Sequence, residues 1–467
     1  MEKNNRLTKK QMWGFSVGTL GEYFVYFLFY NYFTYYLTDI IGIKAAVAST
    51  ILSLAMVWDA ITDPIVGYVN DVSKKKWRRR AMMKKFFIPF CITFALCYIR
   101  PHLEMGPALY IYYGAVCLAF WLAYTCEQVP FYGLLPEVAR HPDDRLTIRS
   151  IMAFIGNGGN LAVSLVPIIV ELFLKIGFLE TTSWSLTMGI LGFIGGLGFL
   201  ATVIATKGLE APVDEKTIEH TNLFASYKEV IKTKGYIISV LIYLFSTLFI
   251  NLIFSCIMYV GDSKLGLPAW QLSIVSACYT FGGVFITPLI SVLDKKMGSH
   301  NAFKASVIVA LAAYIVIGII GFHGMGIMVV HGLLTAACFV LFTAYNYMML
   351  YEAADIILLR TGEEKEGSVV AFATFGYKIG SALSATTLGI ALTIIGYDGT
   401  SEIHDPALMA KLDYLITFIP AILLAIILIL LIVYPVKNHM IKPLRDAKLA
   451  KEAGKEYSVE CLEKLLK

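Results

Sequence analysis

The chain has 467 residues, 57% of them hydrophobic and only 16% charged, with a net charge of +5. Soluble domains run near a quarter charged. The composition therefore excludes an ordinary soluble enzyme or nucleic-acid binder and indicates a membrane protein. No signal peptide is expected, because the basic, polar start MEKNNRLTKKQ leads into an apolar run far longer than a signal core. A bilayer crossing takes roughly 20 apolar residues. By that measure twelve helices are expected, over about 12–41, 45–71, 86–100, 107–135, 150–176, 182–206, 236–261, 268–293, 302–322, 325–353, 367–396 and 409–434. No period-two alternation suggests barrel strands instead.

In chain order, the first span is dense in aromatics, EYFVYFLFYNYFTYYL at 22–37. Tyr23, Tyr26, Tyr30 and Phe33 fall on one stripe below Glu22. Such rings stack on sugars or flat apolar ligands, or simply pack in the bundle and against lipid. The second span reads VWDAITDPIVGYVND and places Asp59 and Asp63 well inside the apolar run. Four residues apart, they sit roughly 40° from each other around the helix. Pro64 frees a carbonyl one turn back, adding an oxygen ligand. The fourth span adds Thr125 and Glu127, and the eleventh adds Lys378. GNGGN at 156–160 is expected to serve close helix packing. His323 and His331 are expected at the surface, near the loop between spans nine and ten. Seven of the eight cysteines fall in the expected helices with no CxxC pair, so neither zinc nor a disulfide framework is implied.

The basic residues sort by loop. Of 39 Lys and Arg, 33 fall in the N-terminus, the even-to-odd loops and the C-terminal tail, and five in the opposite loops. By the positive-inside rule both termini are cytoplasmic and the helix count is even. The positive net charge then reflects cytosolic loops, and no nucleic-acid partner is expected.

Twelve helices invite a search for two halves. Span two ends TDPIVGYVNDVSKKKWRRR at 62–80, and span eight ends TPLISVLDKKMGSHNAFK at 287–304. Span four ends LLPEVAR at 134–140, and span ten AADIILLR at 353–360. The expected fold is thus an all-α membrane protein with two six-helix pseudo-repeats, the major-facilitator layout. Its parts are an N-terminal bundle (1–206), a cytosolic linker (207–235) with a short amphipathic helix, a C-terminal bundle (236–434) and a solvated helical tail (435–467). The repeated acid-then-basic loops nominate Asp71, Arg78, Arg79, Asp294 and Arg140 as a cytosolic gate.

Ionisable residues inside a membrane are costly and mark pathways. If Lys378 reaches Asp59 and Asp63, the sum is −1, which calls for a proton or a small cation. Carboxylates with a hydroxyl such as that of Thr125 suit a hard cation. A buried ion-pair network that only holds helices together is the alternative.

These residues resemble the glycoside–pentoside–hexuronide:cation symporters, the group of melibiose permease, over about 10–440. The resemblance rests on GFSVGTLGEYF and YYLTDIIGI in helix 1, WDAITDPIVGYVND with KKKWRRR in helix 2, YTCEQVPFYGLLPE in helix 4, ADII in helix 10, and KEGSVVAFATFGYKIGSAL with Gly396–Tyr397 in helix 11. It implies that Asp59 and Asp63 bind Na+, Li+ or H+, that Thr125 lies near the cation, and that Lys378 links the ion and substrate sites. No other cofactor is implied. Arg78 stands where the family usually has Gly, which bears on gating.

The sugar site departs more. Galactoside carriers of the family have Asp where Tyr23 and Gln128 stand and Trp where Tyr132 stands. Their helix 5 Arg has no counterpart, Arg149 lying one turn early. The expected substrate shell is Glu22, Tyr23, Tyr26, Glu127, Gln128 and Tyr132. The expected function is cation-coupled symport of a sugar or glycoside by a monomer in the plasma membrane. A carrier of amphipathic or lipid-like metabolites is the runner-up, and a non-translocating substrate sensor a third reading. No motif for an enzymatic nucleophile, metal or cofactor is present, so an enzyme is not expected.

Overall fold

The computed structural model describes residues 6–72, 78–139, 141–209, 230–362, 366–399, 406–452 and 465, and among them every regular element is a helix. The first expected span is not one α-helix. It runs as α1 (Lys9–Ser16), a π turn at Leu20–Phe24, α2 (Val25–Tyr35) and a second π turn at Tyr36–Ile40. Then follow α3 (Ala45–Val72), α4 (Arg79–Cys97), α5 (Pro107–Val138), α6 (Pro142–Val163), α7 (Val166–Ile176) and α8 (Glu180–Ala205). The second part of the chain holds α9 (Tyr236–Met258) with a third π turn at Tyr259–Lys264, α10 (Ala269–Phe281), α11 (Thr287–Met297), α12 (Ser299–Ile320), α13 (Met325–Thr361), α14 (Glu366–Ile395), α15 (Pro406–Val433) and α16 (Asn438–Glu452).

Eight helices among the described residues are long and apolar enough to cross a bilayer, or nine if the pair bent by 42° between Val163 and Val166 counts as one span. The remaining expected spans fall short for local reasons. The first is cut by its π turns, and a 3-10 turn at Gly282–Phe285 separates α10 from α11. α4 carries Arg79, Arg80, Lys84 and Lys85 in its first turns.

The chain divides into two compact units. One comprises Met1–Glu219, Phe254–Phe281 and Ala385–Met409. There α8 turns a glycine face to the first span. A Cβ on Gly195 would lie 2.4 Å from Val25, and one on Gly198 would lie 2.6 Å from the Val17 carbonyl. Gly21 answers from the other side, where a Cβ would come within 2.4 Å of the Phe199 ring. Close approach explains GNGGN as well: Gly156 and Gly159 pack on Thr19 and on Leu20 and Phe24, while Gly158 faces open space. The core is aromatic. Phe29 stacks on Phe33 and Phe120 at 4.3 and 5.2 Å, and Trp121 sits edge-on to Phe29 and Tyr124.

The other unit comprises His220–Ile253, Gly282–Ser384 and Ala410–Lys467. His331 corrects the surface expectation. It is fully buried, 3.2 Å from the Ile416 carbonyl and edge-on to Tyr314 and Phe322, whereas His323 is exposed. The tail forms α16, whose Lys448 pairs with Asp355 at 2.7 Å and whose Lys451 reaches the Leu358 carbonyl at 2.6 Å. The short helix expected in the linker falls mostly outside the described residues.

Candidate functional site

Asp59 sits midway along α3 and is 3% exposed. α5 packs beside it and turns Thr125 inward, so that Thr125 Oγ1 lies 2.7 Å from Asp59 Oδ1. Thr62, one turn on from Asp59, joins them. Its hydroxyl lies 3.1 Å from the Asp59 carbonyl and 3.3 Å from Thr125 Oγ1. Thr125 also reaches the Trp121 carbonyl at 3.0 Å. Asp63 is half-buried, one turn further along the same helix. Carboxylate, two hydroxyls and helix carbonyls thus gather in one buried place. No group of three or more His, Cys, Asp or Glu stands together as a metal site among the described residues. An ion here would rely on hydroxyl and carbonyl oxygens beside carboxylate, the oxygen ligand set that a hard cation prefers.

Thr62 was not singled out in the sequence. Its signal was available: a hydroxyl between two acids at helical spacing, three residues after the first.

A second polar group forms where the first span is broken. The π turn at Leu20–Phe24 carries Glu22, which is 8% exposed. π turns recur at functional sites because the extra residue re-aims a side chain. Glu22 Oε1 lies 3.4 Å from Gln128 Nε2, and the Tyr132 hydroxyl also bonds to this carboxyl. Glu22 Oε2 is buried without a hydrogen-bond partner. Tyr23 lies close to Tyr132, and each is 40% exposed. Tyr26 is half-buried, 4.5 Å from the Tyr30 ring and edge-on to Trp121. Tyr30 and Phe33 of the expected stripe are buried in the core.

Glu127 parts from this shell. It is fully buried, its carboxyl oxygens have no hydrogen-bond partner, and its charge is felt at Cys91 on α4 and at Cys126. Adjacent helical residues point about 100° apart, so Gln128 faces Glu22 while Glu127 faces α4. Lys378 is buried in α14, in the other unit.

At the basic end of the first unit, Arg78 and Arg79 both pair with Glu137 at the end of α5, Arg78 at 3.3 Å. The Arg79 side chain lies across Gly133, where a Cβ would meet its Nε at 2.7 Å. Glu137, the acid of the LLPEVAR stretch, thus joins both arginines although the expected gate does not include it. In the other unit Asp294 accepts a hydrogen bond from the Tyr345 hydroxyl at 2.8 Å. The Asp71 side chain and Arg140 lie outside the described residues.

Residues 14–438 match the family model described as MFS/sugar transport protein. Among curated relatives, the symporter YnaJ of Bacillus subtilis is 25% identical, covering 92% of each chain. The isoprimeverose transporter of Lactiplantibacillus pentosus is 22% identical, over 88% of this chain and 85% of its own. A sodium-dependent lysophosphatidylcholine symporter of Gallus gallus is 25% identical, over 86% and 82%. Among solved structures, a bacterial homologue of the human peptide transporters PepT1 and PepT2 superposes with a TM-score of 0.67 at 11% identity, covering 95% of this chain and all of that one. At that identity the likeness concerns fold alone.

Proposed function

The chain belongs to the MFS/sugar transport family, in its glycoside–pentoside–hexuronide:cation symporter branch, and is a multi-pass membrane transporter rather than an enzyme; from that premise we propose that it is a secondary active symporter coupling Na+, Li+ or H+ to a sugar or glycoside. The observation that carries the reading is the buried oxygen cluster of Asp59, Thr125 and Thr62, with Thr125 2.7 Å from Asp59. In this reading Asp59 and Asp63 hold the cation and the hydroxyl of Thr125 completes its shell. Lys378 keeps its linking role on sequence position. Glu22, Gln128 and Tyr132, with the rings of Tyr23 and Tyr26, receive the solute. A carboxylate and a carboxamide suit hydroxyl-rich ligands, and the phenol rings suit their apolar faces.

The proposal includes two six-helix halves (1–206 and 236–434) joined by a cytosolic linker, in a monomer of the plasma membrane with both termini cytoplasmic. Arg78, Arg79, Asp71, Asp294 and Arg140 then bias the cytosolic gate, with Glu137 as an added partner. Alternating access follows from the coupling. Cation and solute together neutralise and fill the midplane, which lets the site cross between states. The test is uptake into vesicles of a panel of labelled glycosides under imposed sodium, lithium or proton gradients. Uptake of at least one solute should follow a gradient, and a panel in which none responds to any gradient sinks the proposal.

One observation favours a second reading. One relative at 25% identity is a lysophosphatidylcholine symporter, and Tyr23 and Tyr132 offer exposed ring surface beside a carboxyl. An amphipathic solute would use those rings for its apolar part. Competition between glycosides and lysophospholipids in the same vesicles separates the two.

A further inference from the structure

Two sequence motifs find no place in that reading, YYLTDIIGI at the end of the first span and the Gly-Tyr pair Gly396–Tyr397. They meet within one compact unit. α2 ends in the π turn Tyr36–Ile40, and α9 ends in the π turn Tyr259–Lys264. The two turns match. Each begins with a tyrosine and carries an aspartate three residues on, Asp39 and Asp262. Each closes with a five-residue and a six-residue backbone hydrogen bond, Ile41 N to Tyr36 O (3.0 Å) and Ile43 N to Leu37 O (2.8 Å), against Leu265 N to Val260 O (3.1 Å) and Leu267 N to Gly261 O (3.0 Å). Each exits through a left-handed glycine, Gly42 at φ 86° and Gly266 at φ 58°, a conformation a side chain would resist.

The matched turns are stitched to each other. The Tyr35 hydroxyl donates to Asp262. Thr38 Oγ1 lies 2.8 Å from the Tyr259 hydroxyl, and Ser263 Oγ donates to Asp39 at 3.3 Å. Tyr397 closes the group from the loop after α14, its hydroxyl 2.5 Å from Asp39 Oδ1 and 2.8 Å from Ser263 Oγ. The loop sits hard against the acid: a Cβ on Gly399 would come within 2.8 Å of the Asp39 carboxyl carbon. Arg100 donates to the Ile41 carbonyl at 3.1 Å and holds the end of the first turn. Further along the same seam, Ser255 Oγ donates to the Tyr30 carbonyl at 3.1 Å. The seam lies at the end of the first span remote from Lys9 and Lys10.

We propose that these paired π turns are a clasp, Asp39 and Asp262 held by Tyr35, Tyr397, Thr38, Ser263 and Tyr259, that closes the solute path at the non-cytosolic end and parts when the transporter opens to that side. The inference rests on the symport reading. Hydrogen bonds to carboxylates are charge-assisted and outweigh neutral ones, yet hydroxyls and carboxylates are readily rehydrated when separated. The clasp is therefore strong enough to bias a two-state equilibrium and weak enough to be broken in each cycle. Two segments distant in the chain, each ending in the same unusual turn, give it a discrete closed arrangement.

The test uses the full chain in intact cells, with Ser255→Cys placed among otherwise cysteine-free positions and a membrane-impermeant maleimide added outside. Tyr397→Phe, Asp39→Asn and Asp262→Asn should each raise the labelling rate at position 255 about tenfold. Tyr112→Phe, which removes a hydroxyl bonded to the Leu96 carbonyl elsewhere in the unit, should leave it unchanged. Unchanged labelling in all three clasp variants, or an equal rise in Tyr112→Phe, overturns the clasp. Tyr397→Phe removes a single hydroxyl and keeps the test valid where an aspartate variant does not fold. Labelling reads the clasp whatever is carried. Raised labelling in a chain that shows no gradient-driven uptake leaves the clasp standing and removes the symport reading, whereas gradient-driven uptake with unchanged labelling does the reverse.

Discussion

Asp59 and Glu22 are both acids buried in the same unit, 3% and 8% exposed, and both draw partners from α5. Their company differs. Asp59 is met by the hydroxyls of Thr125 and Thr62, whose oxygens can turn a lone pair toward a cation. Glu22 is met by the amide of Gln128 and the phenol of Tyr132, fixed donors beside exposed ring surface. Burial makes an acid costly in either place. The proposed roles differ with those neighbours: oxygens that can serve a cation around Asp59, donors and rings that can frame a solute around Glu22.

That contrast can be broken most forcefully at Asp59. Asp59→Asn should cut gradient-driven accumulation at least about 100-fold while solute binding, measured by equilibrium dialysis, persists, because a conserved shape without charge cannot hold the coupling ion. Accumulation at the normal level would erase the distinction between the two acids. Next in size, Thr125→Ala should weaken the apparent cation affinity about tenfold, with Thr125→Ser close to the parent, as expected for one lost oxygen ligand. Activation of uptake by increasing cation reads this directly. On the other side of the comparison, Tyr132→Phe should raise the solute KM about fivefold and leave the cation constant alone, since one hydroxyl to a carboxyl is removed. A shift in the cation constant instead would merge the two sites. Smallest, Thr62→Val should lower cation affinity about twofold to threefold, its hydroxyl standing 3.3 Å from Thr125 and acting through it. An effect as large as that of Thr125→Ala would promote Thr62 to a direct ligand.

Much of the buried oxygen cluster around Asp59, proposed above to hold the cation, is legible in the sequence because it rests on short-range facts. Asp59, Thr62 and Asp63 share one helix, and an acid inside an apolar run is conspicuous. Thr125 required a second helix but stood in a motif of its own. The group around Glu22, proposed to receive the solute, is only half legible. Glu127 and Gln128 are neighbours in sequence, and helix periodicity cannot say which of two adjacent polar residues faces the site when the whole helix is apolar around them. Packing of α4 against α5 decides it, so that the charge of Glu127 is felt at Cys91 and Gln128 stands beside Glu22. His331 departs from the surface expectation for a related reason. Its position near a helix end suggested water, but Tyr314, Phe322 and the Ile416 carbonyl cover it.

The sequence by itself determined the membrane class, the helical build and the acids inside it, because hydrophobicity, charge and length act locally and leave their mark residue by residue. Only the tertiary structure decided that the first span breaks into two π turns and that α9 ends in a third. A π turn differs from an α turn by one residue and one hydrogen-bond register, a difference too small for composition to encode and settled by the packing around it. The same packing joins Asp39 to Tyr397 across 358 positions of chain. Such a contact depends on how distant helices meet, and no local pattern in either segment contains it.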